Sequence, residues 1–279
     1  SPIAGGTAEP EAIDYPGYPG EPERIGWLQR WFRRNEAPKV AGQLHAGPSE
    51  GGLEGTFGSD AREQVPDTST LPWSAICHLE VDFGGRSGYG TGFLVAPGMV
   101  LTAAHVLHPR GLRRGRSVRV MPGRNDTAAA TLFQDSTSFY LSPKWDPDAH
   151  EPVYDYALIT VDGGPFAACG TLAIQSLNDA DLRQIKKDKL QFSVAGYPKD
   201  KPRGTLWRSR GPLLDFGTSA IYYTVDTKSG QSGGPVFAYS QDDKAVAFAI
   251  QAHNVARRIH GLAASEIAQR LGPGNSLLA

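Results

Sequence analysis

Gly230-Gln231-Ser232-Gly233-Gly234-Pro235, running on into Val236-Phe237-Ala238-Tyr239, is the stretch on which the reading of this chain turns. It sets a serine among glycines in a G-x-S-x-G pattern, and glycine lets the backbone turn sharply enough to leave a hydroxyl at the tip. The residues just after the serine separate two architectures. The strand-to-helix elbow of an α/β-hydrolase needs a helix there, whereas Pro235 to Tyr239 reads as a strand. Asp242 and His253 are the formal partners that such an enzyme would use, but only 47 residues come after Ser232, too few for its remaining β-α units.

The rest of the chain agrees with a strand-rich setting. Its 279 residues include 33 Gly and 21 Pro, a load that long helices tolerate badly and turns use well. Short β-branched or alternating runs recur between turn signals at 73–83, 91–103, 117–121, 156–161, 190–197, 220–225, 235–239 and 245–253. Two stretches read as helices: 179–187, with Asn178 as its N-cap, and 262–271, closed by Gly272-Pro273. Residues 1–54 differ in composition, with Tyr15-Pro16-Gly17-Tyr18-Pro19-Gly20 and a glycine patch before Glu54, and read as an appended segment. Within it, 23–34 has a basic amphipathic helical spacing of a kind that can lie on a membrane surface, but at about three turns its apolar face better suits docking on the neighbouring domain.

Two further segments put catalytic residue types beside strand ends: Leu101-Thr102-Ala103-Ala104-His105 and Tyr154-Asp155-Tyr156-Ala157-Leu158-Ile159. Alone, each is weak. Together with Ser232 they give the order His, Asp, Ser, spaced by 50 and 77 residues. That is the chymotrypsin-type order; subtilisins run Asp, His, Ser and α/β-hydrolases Ser, Asp, His. A serine hydroxyl needs an adjacent base, the role that falls to His105, and the imidazole needs a carboxylate to fix its tautomer, the role that falls to Asp155. Asp146, Asp148 and Asp162 lie near Pro or Gly in loop-like sequence, whereas Asp155 opens a buried strand. Gly230 is placed to turn its N–H, with that of Ser232, toward a developing oxyanion.

On these motifs residues 55–271 resemble the glutamyl endopeptidase branch of the chymotrypsin-fold serine proteases. The resemblance extends to Thr91-Gly92-Phe93-Leu94-Val95 in the first-barrel hairpin, to 196–202 with Trp207 at the opening of the second barrel, and to Gly58-Ser59-Asp60-Ala61-Arg62 at the start of the family's mature chains. It implies an all-β fold of two six-stranded antiparallel β-barrels, with a C-terminal helix and an N-terminal extension, the protease domain spanning 55–279. It also implies a secreted or extracytoplasmic enzyme acting on protein or peptide substrates. Gln231 stands where digestive members of the superfamily keep an aspartate that pairs with the freed amino terminus, so that particular zymogen switch is expected to be absent.

For the preferred bond the sequence favours an acidic residue before the cut, with Arg or Lys as the alternative. Thr227 and His253 match positions that in glutamyl endopeptidases bind the substrate's glutamate carboxylate, and a hydroxyl and an imidazole suit that task. Asp226, six residues before Ser232, falls where trypsins keep the carboxylate that selects Arg or Lys, and facing the pocket it would repel glutamate. Asn254-Val255-Ala256 replaces the glycine-rich stretch expected after the pocket histidine. Glu54, between Leu53 and Gly55, is a self-cleavage site under the acidic reading, making 1–54 a removable pro-segment. A third alternative is an inactive protease-fold binding module, and a fourth a processing domain that cuts itself from a larger polypeptide.

The remaining signals are bland. With 28 basic against 29 acidic residues, the charge balance speaks against a nucleic-acid partner, and Arg110, Arg113, Arg114, Arg116 and Arg119 read as a solvated loop. His105 and His108 lack the third ligand of a metal site, so neither metal nor cofactor is expected. No apolar run approaches a membrane span, and the chain is expected to be a monomer. The glycines from 84 to 92 lack the Lys of a phosphate loop and read as a hairpin connection. Cys77 and Cys169 can form at most one disulfide, and the sequence does not say whether they do.

Overall fold

The computed structural model describes residues 11–12, 60–126, 132–149, 151–223, 225–240, 243–252, 255–258 and 277–278, with Ile267 and Arg270. In chain order the strands among them are β1 (Glu11–Ala12), β2 (Glu63–Gln64), β3 (Ile76–Asp82), β4 (Ser87–Ala96), β5 (Met99–Thr102), β6 (Ser117–Pro122), β7 (Gln134–Ser136), β8 (Phe139–Leu141) and β9 (Ala157–Thr160). Then come β10 (Ala173–Gln175), β11 (Gln191–Gly196), β12 (Trp207–Phe216), β13 (Ala220–Tyr223), β14 (Pro235–Tyr239), β15 (Ala245–Ala252), β16 (Val255–Arg258) and β17 (Leu277–Leu278). Short helices α1 (Ala104–Leu107), α2 (Gly163–Phe166) and α3 (Asp179–Lys187) interrupt them.

The two expected β-barrels are present. In the second, β11, β12, β13, β16, β15 and β14 pair in that order and β14 pairs back onto β11, closing six antiparallel strands. The first is a curled antiparallel sheet in the order β7-β6-β3-β4-β5-β9-β8. Its rim is drawn together by a serine: the Ser136 hydroxyl of β7 donates to the Thr160 carbonyl at the end of β9 (2.6 Å), and the Thr160 N–H donates to the Ser138 carbonyl (2.9 Å). Peripheral strands add to this frame. β1 pairs in parallel with β4, β2 pairs with β12, and β10 lies in parallel between β15 and β17.

Local sequence explains most of these elements. Asn178 caps α3 by accepting from the N–H groups of Ala180 and Asp181, while Asp181 accepts from the Asn178 N–H, and Leu182 and Ile185 face the core. The run 91–103 divides into β4 and β5 around Pro97-Gly98. The reading of 84–92 as a hairpin connection is corrected: Gly84 and Gly85, at φ +80° and +98°, make the turn, but Gly88, Gly90 and Gly92 lie within β4. The ten-residue β12 was not expected, because it carries Pro212 and buries Arg208 and Ser209 where a strand pattern would show apolar side chains. Arg208 is satisfied there by Glu63 at 3.1 Å. The helix expected at 262–271 lies outside the described residues except Ile267 and Arg270, both helical, and the helix expected at 23–34 lies wholly outside them. Both cysteines are free and buried. No helix among the described residues is long and apolar enough to cross a membrane.

Strand β3 links the two barrels through its period-two alternation. Leu79 and Val81 enter the first core with Phe93, Leu101, Val118 and Leu158, each such burial contributing about 1.5–3 kcal/mol. His78 and Glu80 face the other way. His78 lies against the rings of Tyr89 and Tyr197, and Glu80 accepts from Arg124 (3.0 Å) and from Arg203 of the second barrel (2.6 Å). Arg124 also donates to the Nδ1 of His78 at 2.9 Å. A guanidinium only donates, so Nδ1 is the acceptor and the imidazole is neutral.

Burial, reinforced by the positive charges of Arg124 and Arg203, holds the His78 pKa well below its ordinary value of 6.5. The unfolded chain therefore binds a proton that the folded chain refuses, and stability present above pH 6.5 is lost as the pH falls below it. We predict that His78→Gln, which keeps an acceptor for Arg124, flattens the dependence of unfolding free energy on pH between 4.5 and 6.5 by up to about 1.4 kcal/mol per pH unit, measured by urea denaturation.

Candidate active site

The first half of the site arises from strand register. β5 and β9 pair antiparallel with Thr102 opposite Ala157, and continuing that register by two residues sets Asp155 opposite Ala104, at the start of α1. The result is a two-point grip. One oxygen of the Asp155 carboxylate accepts the backbone N–H of His105 at 3.0 Å, and the other lies 2.8 Å from His105 Nδ1. A carboxylate only accepts, so Nδ1 carries the proton, and in the neutral imidazole the lone pair is then on Nε2. Both residues are buried. The competing carboxylates are occupied elsewhere: Asp148 pairs with Arg110, Asp146 accepts the Asp148 N–H within its own turn, and Asp162 caps α2.

The second half is the loop carrying Ser232, held against both barrels. From β4, Thr91 donates its N–H to the Ser232 carbonyl (2.9 Å) and its hydroxyl to the Gly230 carbonyl (2.8 Å). The same hydroxyl accepts the Tyr197 N–H, just past β11, at 3.0 Å, and the Thr91 carbonyl accepts the Thr102 hydroxyl at 2.7 Å. The approach needs bare backbone. A Cβ on Gly233 would lie 2.1 Å from the Thr91 carbonyl and 3.1 Å from the Ala103 nitrogen, two residues before His105. One on Gly90 would meet Val106 of α1 at 2.7 Å and the Ser232 carbonyl at 3.4 Å. Ser232 is thus seated between β4 and the turn that carries His105.

Gly230 and Gly233 adopt φ of +94° and +87°, which L side chains rarely do. Within the loop, the N–H groups of Gln231, Gly233 and Gly234 donate to the carbonyls of Lys228, Gln251 and Gln231. Those of Gly230 and Ser232 make no such backbone bond among the described residues. Gln231, buried, accepts the Lys228 N–H through its side-chain oxygen at 3.0 Å and so braces the loop with a neutral group.

Of the residues considered for substrate recognition, His253 lies outside the described residues, immediately after β15. Thr227 is half-buried. Asp226 is exposed, and its carboxylate accepts the backbone N–H of Ala61 at 2.9 Å, while its own carbonyl accepts the Ser209 hydroxyl at 2.7 Å. Among the described residues no three His, Cys, Asp or Glu side chains cluster as ligands around a metal would. Sequence reasoning sets Thr91 in a hairpin and gives it no task. The signal was present in Gly88-Tyr89-Gly90-Thr91-Gly92, where alternate glycines within a strand mark a close backbone approach.

Fold and site together define a class, and the comparisons give it a family. The trypsin-like peptidase domain matches residues 90–247, and the chain belongs to that family. An extracellular metalloprotease of Bacillus subtilis is 31% identical over 196 residues, covering 70% of this chain and 61% of the relative. A glutamyl endopeptidase of Bacillus licheniformis is 28% identical over 208 residues, covering 74% and 62%. A solved Glu endopeptidase in complex with MPD shares the fold at a TM-score of 0.62 and 24% identity, over 77% of this chain and 98% of that one. This chain thus spans only 61–62% of the length of the two sequence relatives.

The Thr91 hydroxyl joins two backbone groups from opposite barrels, and a buried group left without its partner costs about 1–3 kcal/mol. Thr91→Val should therefore destabilise the protein by about 2–6 kcal/mol, with Thr91→Ser within about 1 kcal/mol of the parent because it loses only a methyl group. Urea unfolding measures both.

Proposed function

We propose that this chain is a serine endopeptidase that forms an acyl-enzyme at Ser232 and prefers an acidic residue before the cut bond. The observation that carries the chemistry is the grip of one carboxylate on both the backbone and the ring of His105. It orients the imidazole with its basic nitrogen available, which a proton acceptor for a serine hydroxyl requires. In this reading His105 takes the Ser232 proton as the oxygen attacks the carbonyl, then returns it to the leaving amine. A water molecule repeats the sequence in reverse to release the acyl group. Asp155 stays ionised and stabilises the imidazolium. The N–H groups of Gly230 and Ser232 are available to the oxyanion, where one donor contributes about 2.7–4 kcal/mol to the transition state.

The acidic preference is supported by the names of two relatives, glutamyl endopeptidase and Glu endopeptidase, and by Asp226. A selector for Arg or Lys needs its carboxylate in the pocket, and here that carboxylate accepts an N–H from the segment before β2. Thr227 and His253 remain the proposed donors to the substrate carboxylate. The substrates are proteins or peptides and the site of action is outside the cytoplasm, as the word extracellular in one relative's name suggests.

Residues 1–54 are proposed as a removable segment ahead of the protease domain. β1 supports this: it pairs Glu11 with Gly88 and Ala12 with Tyr89, on the strand that two residues later binds the Ser232 loop through Thr91. A segment paired there stands beside the nucleophile, and its release uncovers a strand edge for substrate.

Two outcomes are expected. Asp155→Asn should lower kcat by about 10⁴ and Ser232→Ala by about 10⁶, with the folded state retained in circular dichroism. Second, on incubation the full chain should acquire a new amino terminus at Gly55, seen by N-terminal sequencing, while the Ser232→Ala chain keeps Ser1. Full activity with Ser1 intact would contradict the removable segment.

A further inference from the structure

The segment that reaches Asp226 is fastened with more care than a surface arm requires. Arg62 has a side chain only 3% exposed, and two carboxylates hold its guanidinium. Nε donates to Asp60 Oδ1 at 2.8 Å and one Nη to Asp60 Oδ2 at 2.9 Å. The other Nη donates to Asp200 Oδ1 at 2.7 Å, and a second, shorter contact joins the same two residues. Lys201 closes the cluster, with Nζ 2.6 Å from Asp60 and 4.2 Å from the centre of the Trp207 ring. Two positive and two negative charges balance. The Arg62 hydrogen bonds hold the Asp60 carboxyl well below its ordinary range, so the cluster is ionised near neutrality.

The geometry fixes the residue between the two clamped ones. Asp60 and Arg62 are pinned to each other and to the loop after β11, and Ala61 lies between them. Its N–H consequently has one direction to point, and it points at Asp226 Oδ2. Immediately downstream the chain is zipped to β12, with the Val65 N–H on the Leu206 carbonyl and Gln64 opposite Trp207. An arm fixed at both ends positions a carboxylate more strictly than one hydrogen bond from a loose segment could.

We propose that Arg62 is a specificity-setting positioning residue: clamped by Asp60 and Asp200, it holds the Ala61 N–H on Asp226 and so keeps that carboxylate from selecting a basic residue before the cut. This rests on the acidic reading above. It explains how an acidic-preferring enzyme tolerates Asp226 six residues before the nucleophile. Loosening the arm frees the carboxylate to turn, which repels a glutamate side chain and attracts lysine or arginine.

The test uses the full chain and two peptides differing only in Glu or Lys before the bond. Arg62→Ala should shift the Glu-to-Lys ratio of kcat/KM toward Lys by at least about tenfold, mainly through a higher KM for the Glu peptide. Adding Asp226→Asn to that variant should restore the ratio, since an amide neither repels nor attracts. Asp226→Asn alone should change the ratio by less than about threefold, because the parent already holds the carboxylate aside. Equal losses on both peptides in Arg62→Ala, with no rescue, would make Arg62 merely structural and overturn the clamp. Should Arg62→Ala not fold, a tenfold rise in Glu preference in Asp226→Asn alone would overturn it as well. Lys-directed cleavage by the unaltered chain would overturn the acidic reading and the clamp with it, whereas Glu-directed cleavage with an unmoved ratio overturns only the clamp.

Discussion

One buried hydroxyl joins the halves of this molecule at the place where they must meet. Thr91 Oγ1 donates to the carbonyl of Gly230 and accepts from the N–H of Tyr197, so a strand of the first barrel holds both the Ser232 loop and the end of a strand of the second. The Thr91 N–H and carbonyl extend the junction to Ser232 and to Thr102, three residues before His105. A side-chain hydrogen bond contributes only about 1 kcal/mol net, but buried partners left unsatisfied cost more, and that asymmetry gives Thr91 its importance. The glycines around it obey the same constraint. Gly196 would bring a Cβ to 2.7 Å from the Thr91 hydroxyl, and Gly234 one to 2.2 Å from the Ala195 carbonyl.

A second contact between the barrels differs in kind. Glu80 receives a guanidinium from each side, Arg124 from the first barrel and Arg203 from the second, with neutral His78 beside them. Tyr197 bridges it to the first junction, for its N–H binds Thr91 while its hydroxyl donates toward the carbonyls of Arg124 (2.9 Å) and Ile76 (3.2 Å). A partly buried ion pair is weak support for stability, because desolvation offsets much of its Coulomb gain. Its directional bonds nonetheless fix one relative placement of the sheets. The polar seam sets orientation, and the apolar cores supply the driving force.

How much of this was legible depends on what each residue does locally. Strands whose side chains alternate or run apolar, such as β14 and β15, could be read directly, as could α3 with its Asn178 cap. β12 could not, because its buried Arg208 and Ser209 are satisfied by Glu63 and Asp226, partners remote in sequence. The three reactive residue types were visible from their order along the chain and from the strand ends that carry them. The contact between Asp155 and His105 depends on β5–β9 register, which no local pattern reports. Thr91 and Arg62 were harder still, for each acts through groups more than a hundred positions away. Asp226 shows the limit most plainly. Counting from Ser232 gives its place but not the direction of its carboxylate, which depends on where a distant arm docks.

The proposal on which this account turns is that the junction brings the Ser232 hydroxyl to an imidazole already oriented by Asp155 and so makes it reactive. Its most direct test is treatment of the full chain with a fluorophosphonate, then intact-mass and peptide analysis. The account predicts a single covalent adduct on Ser232 and none in the His105→Ala chain. An adduct forming equally well without His105, or no adduct on Ser232 in the folded protein, would contradict it.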